Sequence, residues 1–199
     1  MSAKSTNITA VAHRVTRQER WKRNRHHSGV LWFTGLSGAG KSTLAFELEQ
    51  LLFEKGYQAY VLDGDNLRHG LNTDLGFSPA DRTENIRRVG EVAALLADAG
   101  AIAISAFISP YREDRESARR SAGGDFHEIH VKADLAVCER RDPKGLYEKA
   151  RRGEIPEFTG ISAPYEAPED PELAIDTGVL SVEESLGLLV DYVEEVFKR

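Results

Sequence analysis

The nine residues from Gly35 to Thr43, GLSGAGKST, stand between an apolar run, Val30-Leu-Trp-Phe33, and a periodic segment, Leu44-Ala-Phe-Glu-Leu-Glu-Gln-Leu-Leu52. Gly35 to Ser42 satisfies G-x-x-x-x-G-K-[ST] in full, with strand-like residues before it and helix-like residues after it, which is the setting a phosphate loop requires. In such a loop Gly35, Leu36, Ser37, Gly38, Ala39, Gly40 and Thr43 wrap a triphosphate, and backbone N–H groups and the positive end of the following helix face the phosphates. Lys41 neutralises charge on the β and γ groups, and the Ser42 hydroxyl binds the Mg²⁺ that bridges them. The predicted ligand is ATP or GTP.

Working outward, strand-like and helix-like pieces alternate. Val30 to Thr34 reads as a buried strand, Lys41 to Glu54 as a helix, and Gln58 to Leu62 as a second strand after the Lys55-Gly56 stop. Ser78-Pro79 offers an N-cap and an N1 proline, and Ile86, Val89, Ala93 and Leu96 recur at helical spacing until Gly100. Ala101 to Phe107 is a third apolar strand with little polar alternation, as in a parallel sheet covered on both faces. His127 to Val131, Leu173 to Ile175 and a helix over Val182 to Phe197, capped by Ser181, complete the series. The pattern predicts an α/β, three-layer phosphate-loop fold with a mostly parallel central sheet, ligands sitting at the carboxyl ends of its strands.

Length and composition agree. A chain of 199 residues houses one substantial core, read as a basic N-terminal arm over 1–28 and a single kinase-like domain over 29–199. A single cysteine, Cys138, allows no intrachain disulfide. The opening MSAKSTNITA lacks the apolar core of a secretory signal, and no uncharged stretch is long enough to span a bilayer, so a cytoplasmic address and no membrane partner are expected. Formal charge is −6, yet Arg14 to His27 is basic. That arm can bind nucleic acid through phosphates. No nucleic-acid-reading motif accompanies it, so a solvated or packed arm and no nucleic-acid partner is the reading taken.

A guanine-reading Asn-Lys-x-Asp stretch is absent from the chain, and a motor needs more length, which leaves a small phosphotransferase. The second strand ends in Asp63-Gly-Asp65-Asn-Leu-Arg68, two carboxylates and an arginine where ligands sit. An aspartate there orders magnesium or accepts a proton from an attacking hydroxyl, and an arginine grips an anionic acceptor. Asp also turns chains and caps helices, so both readings stand at this point.

The run LDGDNLRHGLNTDLGFSPADRTENIRRVGEVAALLADAG, 62–100, resembles the adenylyl-sulfate kinase family. The likeness extends from VTRQER and LWFTGLSGAGKST through SAFISPYREDR and CERRDPKGLYEKARRGEIPEFTGI to APYEAPEDPEL. It implies ATP-dependent phosphorylation of the 3′-hydroxyl of adenosine 5′-phosphosulfate, in sulfate assimilation. Rivals on the same fold are kinases of AMP, shikimate or gluconate; a rival from another class is a nucleotide-dependent nucleic-acid-binding regulator. The resemblance further implies a homodimer and leaves room for functional coupling to an ATP sulfurylase.

It also implies a division of labour. Lys41, Asp63 and Ser109 are the catalytic candidates. Asp65, Arg68, Phe77, Arg82, Asn85, Ile108 and Ser109 hold the acceptor, with Phe77 against its adenine. Family association makes Ser109 a possible phosphorylated intermediate, but direct transfer needs only alignment and charge neutralisation, and is preferred. Basic residues over about 140–160 form a lid, with Lys144 reaching acceptor or transferred phosphate and Arg141 second, on the nucleotide side. A plain charged helix with a Glu148–Arg152 pair is the alternative there. Phe158, Thr159 and Gly160 wall the acceptor pocket, and Gly178, in Asp176-Thr-Gly, borders the ATP base or belongs to a plain turn leading to Ser181. The family commonly reads FTGIDSPYE where this chain has FTGISAPYE, with Ser162 and Ala163. Loss of a carboxylate there bears on the loop's contacts.

Overall fold

A computed structural model describes residues 7–9 and 11–198 of the chain. Most of the opening MSAKSTNITA therefore lies outside the described residues. Strand β1 (Gly29–Thr34) is buried along its whole length. Because a strand sends successive side chains to opposite faces, Leu31 and Phe33 enter one core while Val30 and Trp32 enter the other. Helices α2 (Lys41–Glu54) and α8 (Val182–Val196) cover the first face with Leu44, Leu48, Leu52, Leu189 and Val193. Helix α4 (Pro79–Asp98) covers the second with Ile86, Val89 and Ala93. This double cover is why β1 carries no polar alternation.

The sheet runs β2 (Ala59–Asp63), β3 (Ile102–Ala106), β1, β4 (Phe126–Lys132), β5 (Leu173–Asp176), and every pairing is parallel. β1 lies at its centre, with β3 on one side and β4 on the other. The chain leaves β1 toward the β2–β3 side and returns to the β4–β5 side, so the crevice at its carboxyl end is the expected ligand position. The expected strands are all present, with no end shifted by more than one residue. Ser78 caps α4 with Pro79 in the first turn, and Ser181 caps α8 in a capping box with Glu184.

Three helices went unread, α1 (Arg17–Asn24), α5 (Arg112–Ala122) and α6 (Leu135–Arg141), and α7 (Leu146–Arg151) lies where the charged-helix alternative put it. A short α3 (Gly64–Arg68) follows β2. α1 packs the second half of the basic arm against the domain. Arg17 donates to the Ser28 carbonyl (2.8 Å) and pairs with Asp125 (2.9 Å), Trp21 Nε1 donates to Ser28 Oγ (2.6 Å), and Asn24 donates to the Gly100 carbonyl (2.9 Å). Between the two readings of the arm, this stretch is packed. Among the described residues no helix is long and apolar enough to cross a membrane.

Candidate active site

The phosphate loop joins β1 to α2 and is wired from within. Lys41 Nζ donates to the carbonyls of Gly35 (3.0 Å) and Leu36 (2.8 Å), folding its ammonium into the cradle. Its side chain is nearly buried, and that burial pushes its pKa down to about 8. Gly35 is obligatory: a Cβ there would stand 2.2 Å from the Val131 carbonyl oxygen, so no larger residue lets the loop pass β4. Ala39 is buried, Leu36, Ser37, Gly38 and Gly40 are partly open, and Ser42 and Thr43 are exposed at the helix start.

Asp63 fills the capping role its sequence context suggests, and its second oxygen faces the loop serine. Oδ1 caps α3 by accepting from the backbone N–H of Asp65 (3.0 Å) and Asn66 (3.3 Å). Oδ2 accepts from Ser42 Oγ (2.8 Å). Capping therefore fixes the carboxylate and leaves one oxygen turned toward the loop's mouth. Two hard oxygen donors side by side fit Mg²⁺, which takes few protein ligands and keeps water and phosphate oxygens. Among the described residues no group of three or more His, Cys, Asp or Glu is placed to hold a metal, so protein ligands alone offer no cage.

On the acceptor side, Phe77 is 66% exposed, which rules out a core anchor. The Arg68 guanidinium lies over its ring, 4.1 Å from the centroid, and donates to the carbonyls of Leu75 and Gly76 (3.0 Å each). Arg88 holds the preceding loop by pairing with Asp74 (2.6 Å) and donating to the Leu71 carbonyl (3.1 Å). Arg82 straps two segments together. It donates to the Phe77 carbonyl (2.9 Å), the Thr159 hydroxyl (2.6 Å) and the Glu157 carbonyl (2.6 Å). Asn85 is buried and accepts from Asn72 Nδ2 (3.0 Å), a partner the sequence did not single out.

Phe158 contrasts with Phe77. It is 7% exposed, set edge-on to Tyr147 at 5.1 Å, so its ring belongs largely to the core. Thr159 is buried beneath Arg82. Gly160 has φ +89° and would bring a Cβ to 3.1 Å from Leu36, fixing this turn against the phosphate loop. A cavity of about 540 Å³ lies here, lined by Leu36, Leu135, Gly160, Ile161 and Tyr165 among others. Ser162 Oγ accepts from the Phe158 N–H (3.0 Å), so the hydroxyl provides the loop with a side-chain acceptor where the family's carboxylate is missing.

The basic segment is two short helices joined at Asp142–Gly145. α7 carries the Glu148–Arg152 pair (2.5 Å), as the plain-helix reading expects. From the joint, Lys144 reaches across to pair with Asp65. Arg141 donates to the carbonyl of Gly38 (3.3 Å) and to Thr177 Oγ1 (3.1 Å), and Thr177 Oγ1 donates to the Ala39 carbonyl (2.8 Å). The Gly178 N–H donates to Asp176 Oδ1 (3.0 Å), and the Thr177 bond to Ala39 puts this turn beside the phosphate loop. Sequence reasoning missed Tyr147, whose hydroxyl donates to the Ser37 carbonyl (2.9 Å) from a buried position. Burial raises its pKa and keeps it a donor.

At the end of β3, the Ile108 carbonyl accepts from Thr34 Oγ1 (2.7 Å) and Ser109 is 2% exposed. Ser109 Oγ accepts from Trp32 Nε1 (3.1 Å) and its carbonyl from Arg115 (2.7 Å). The site residues thus form two adjoining groups, one around Lys41, Ser42, Asp63 and Arg141, the other around Arg68, Phe77, Arg82 and Thr159. Asp65 and Lys144 connect them.

The family model for adenylylsulphate kinase matches residues 27–176. The adenylyl-sulfate kinase of Staphylococcus carnosus (strain TM300) is 60% identical over 193 residues, 96% of this chain and 97% of that one. The Bacillus pumilus (strain SAFR-032) adenylyl-sulfate kinase is 62% identical over 185 residues, 92% of this chain and 94% of the relative. Among solved structures, the Mycobacterium tuberculosis APS kinase CysC in complex with AMPPNP and APS superposes with a TM-score of 0.81 at 53% identity, covering 84% of this chain and 98% of that one.

Proposed function

The chain belongs to the adenylylsulphate kinase family, and on that premise we infer that it transfers the γ-phosphoryl group of ATP to the 3′-hydroxyl of adenosine 5′-phosphosulfate. The products are ADP and 3′-phosphoadenosine 5′-phosphosulfate, the activated sulfate of sulfate assimilation. The observation that carries this reading is the pairing of one complete phosphate loop with a second group of anion-gripping and stacking side chains, connected through Asp65 and Lys144.

Transfer to a hydroxyl calls for alignment and charge neutralisation more than for covalent chemistry by the protein. Lys41 exchanges its two loop carbonyls for phosphate oxygens when the triphosphate enters. Arg141, already above the loop at Gly38 and Thr177, lies along the nucleotide. Ser42 would hold Mg²⁺, which would neutralise charge on the β and γ phosphates when bound. Asp63 Oδ2, fixed by its partner oxygen's capping bonds, orients the acceptor hydroxyl and takes its proton. Phe77 with Arg68 receives the adenine, Arg82 and Asn85 fix the ribose and 5′ groups together with Ile108 and Ser109, and Phe158, Thr159 and Gly160 close the pocket behind. Lys144 leaves Asp65 for the transferred phosphate, which makes the Arg141–Lys144 segment a closing lid.

We propose a homodimer, supported by exposed Phe46 and Phe53 on α2 and exposed Tyr60 on edge strand β2; light scattering tests it. Arg17, Trp21 and Asn24 of the basic arm are engaged with the domain, whereas Lys22, Arg23 and Arg25 are exposed.

The test is a coupled ADP assay with adenosine 5′-phosphosulfate, AMP, shikimate and gluconate as acceptors, with product masses. ADP release should depend on adenosine 5′-phosphosulfate alone, which gains one phosphoryl group. Turnover with another of these acceptors, or release independent of any, would overturn the assignment.

A further inference from the structure

Ser109 is held at unusual cost. Its φ is +40°, a region that non-glycine residues seldom enter and that persists only where the surroundings impose it. Three side chains impose it here. Thr34 Oγ1 donates to the preceding carbonyl of Ile108 (2.7 Å). Arg115, 3% exposed and itself anchored to Glu128 (2.5 Å) and the Glu166 carbonyl (2.8 Å), donates to the Ser109 carbonyl. Trp32 Nε1 donates to the hydroxyl.

The last bond has a direction. An indole N–H is a donor only, whereas a serine hydroxyl has one proton and two lone pairs. With the indole proton on Ser109 Oγ, that oxygen accepts from Trp32 and its own proton must go elsewhere. No acceptor for this proton stands among the described residues. Trp32 is fully buried and stacked between Phe107 (6.1 Å) and Phe126 (5.7 Å), so the indole does not turn away. A phenylalanine could fill much of that stack, but only tryptophan brings the N–H.

We propose that Trp32 is a positioning residue that commits the Ser109 hydroxyl to donating a hydrogen bond to the acceptor nucleotide, and so makes Ser109 a binding group and not a phosphate carrier. The inference rests on the acceptor-side reading of Ser109. It adds what directs the hydroxyl. A nucleophilic serine needs a base to take its proton; the partner provided here offers a proton and accepts none.

The test is a double-variant cycle in the full chain with initial rates. Trp32→Phe should raise the Michaelis constant for adenosine 5′-phosphosulfate about tenfold, the scale of one neutral hydrogen bond, with kcat and the ATP constant within about twofold. Ser109→Ala should do the same, and the double variant should be no worse than Ser109→Ala alone, because Trp32 acts through that hydroxyl. Equal rises in both Michaelis constants, or effects that multiply in the double variant, would reduce Trp32 to a packing residue and overturn the proposal.

Trp32→Phe removes core volume, so a second measurement keeps the native tryptophan. The chain has two tryptophans, and Trp21→Phe leaves the Trp32 indole N–H as the remaining indole resonance in an NMR spectrum. Adding Ser109→Ala should move that resonance and speed its exchange with solvent; an unchanged resonance means the bond is absent and the proposal fails. A wild-type chain with no adenosine 5′-phosphosulfate-dependent ADP release would instead fail the functional reading, and the NMR result would still decide the bond.

Discussion

The two halves of the site are held in different ways. In the phosphate loop, Lys41 bonds to carbonyls five and six residues away, so its ammonium is held by the loop's own short stretch of chain, while Tyr147, Arg141 and Thr177 tie the outside of the loop to distant segments. On the acceptor side, Arg82 bonds to partners 75 and 77 residues away and Lys144 to one 79 residues away. A local device keeps its geometry while any strand–loop–helix unit stands. A device spanning the fold exists only after the segments at 65, 82, 144 and 159 have met. Damage to the first should therefore act on chemistry with little change elsewhere, and damage to the second should act on one substrate's affinity.

The largest expected effect tests the local half. Lys41→Ala removes the one ammonium inside the cradle, and turnover should fall by about 10³-fold or more, the scale of losing a preorganised charge at a developing anion. Its ammonium is desolvated in the folded state, so thermal stability should hold or rise. A folded Lys41→Ala variant with near-normal turnover would break the assignment of the loop. Arg82→Ala tests the other half. The acceptor Michaelis constant should rise by about 30-fold, in keeping with loss of charge-assisted hydrogen bonds, and that for ATP should change little. Equal effects on both constants would mean that the two halves are not separable.

Next comes pH. Burial holds Lys41 at about 8 against the ordinary lysine value of 10.5, so the free enzyme keeps its charge below pH 8 and loses it above. The value kcat/KM for ATP should fall with a midpoint near pH 8, by about tenfold for each further unit. Bound phosphates restore the proton, so kcat should not share that limb. Unfolding does not mimic the effect: between pH 8 and 10.5 the unfolded lysine binds more proton than the folded one, and this group's contribution to stability rises with pH. A kcat limb at the same pH would place the titration elsewhere.

Legibility followed the same divide. β1, α2, the cap of α4 at Ser78-Pro79 and the loop residues were readable because each is decided by near neighbours or by simple periodicity. The missed helices are short or charged. α5 buries Asp114 and Arg115 where a periodic pattern would put apolar residues, so its inward face reads as surface. α1 does carry a readable signal, the Thr16–Glu19 capping box, which the surrounding charge concealed. Asn72, Tyr147 and Thr177 touch site residues only through the fold, and their spacing in the chain carries no trace of it. Asp63 is a mixed case: cap and site residue were offered as alternatives, and one oxygen caps α3 while the other accepts from Ser42.

The smallest expected effect concerns the loop where this chain departs from its family. Ser162 Oγ accepts from the Phe158 N–H, and the same loop is closed by backbone bonds from Gly160 to the Ala163 carbonyl (2.8 Å) and from Ala163 to the Phe158 carbonyl (3.1 Å). Thr159, the residue Arg82 holds, lies within that closed turn. Ser162→Ala leaves the Phe158 N–H without its side-chain acceptor, a loss on the scale of a weak cap, about 0.5–1 kcal/mol. The backbone bonds keep the turn shut, so the acceptor Michaelis constant should rise only about two- to threefold, a fraction of the single hydrogen-bond scale. Ser162→Asp offers the same N–H a carboxylate oxygen and should restore the acceptor constant to that of the native chain. If alanine and aspartate behave alike, the hydroxyl is not what holds the turn, and the backbone alone keeps Thr159 beneath Arg82.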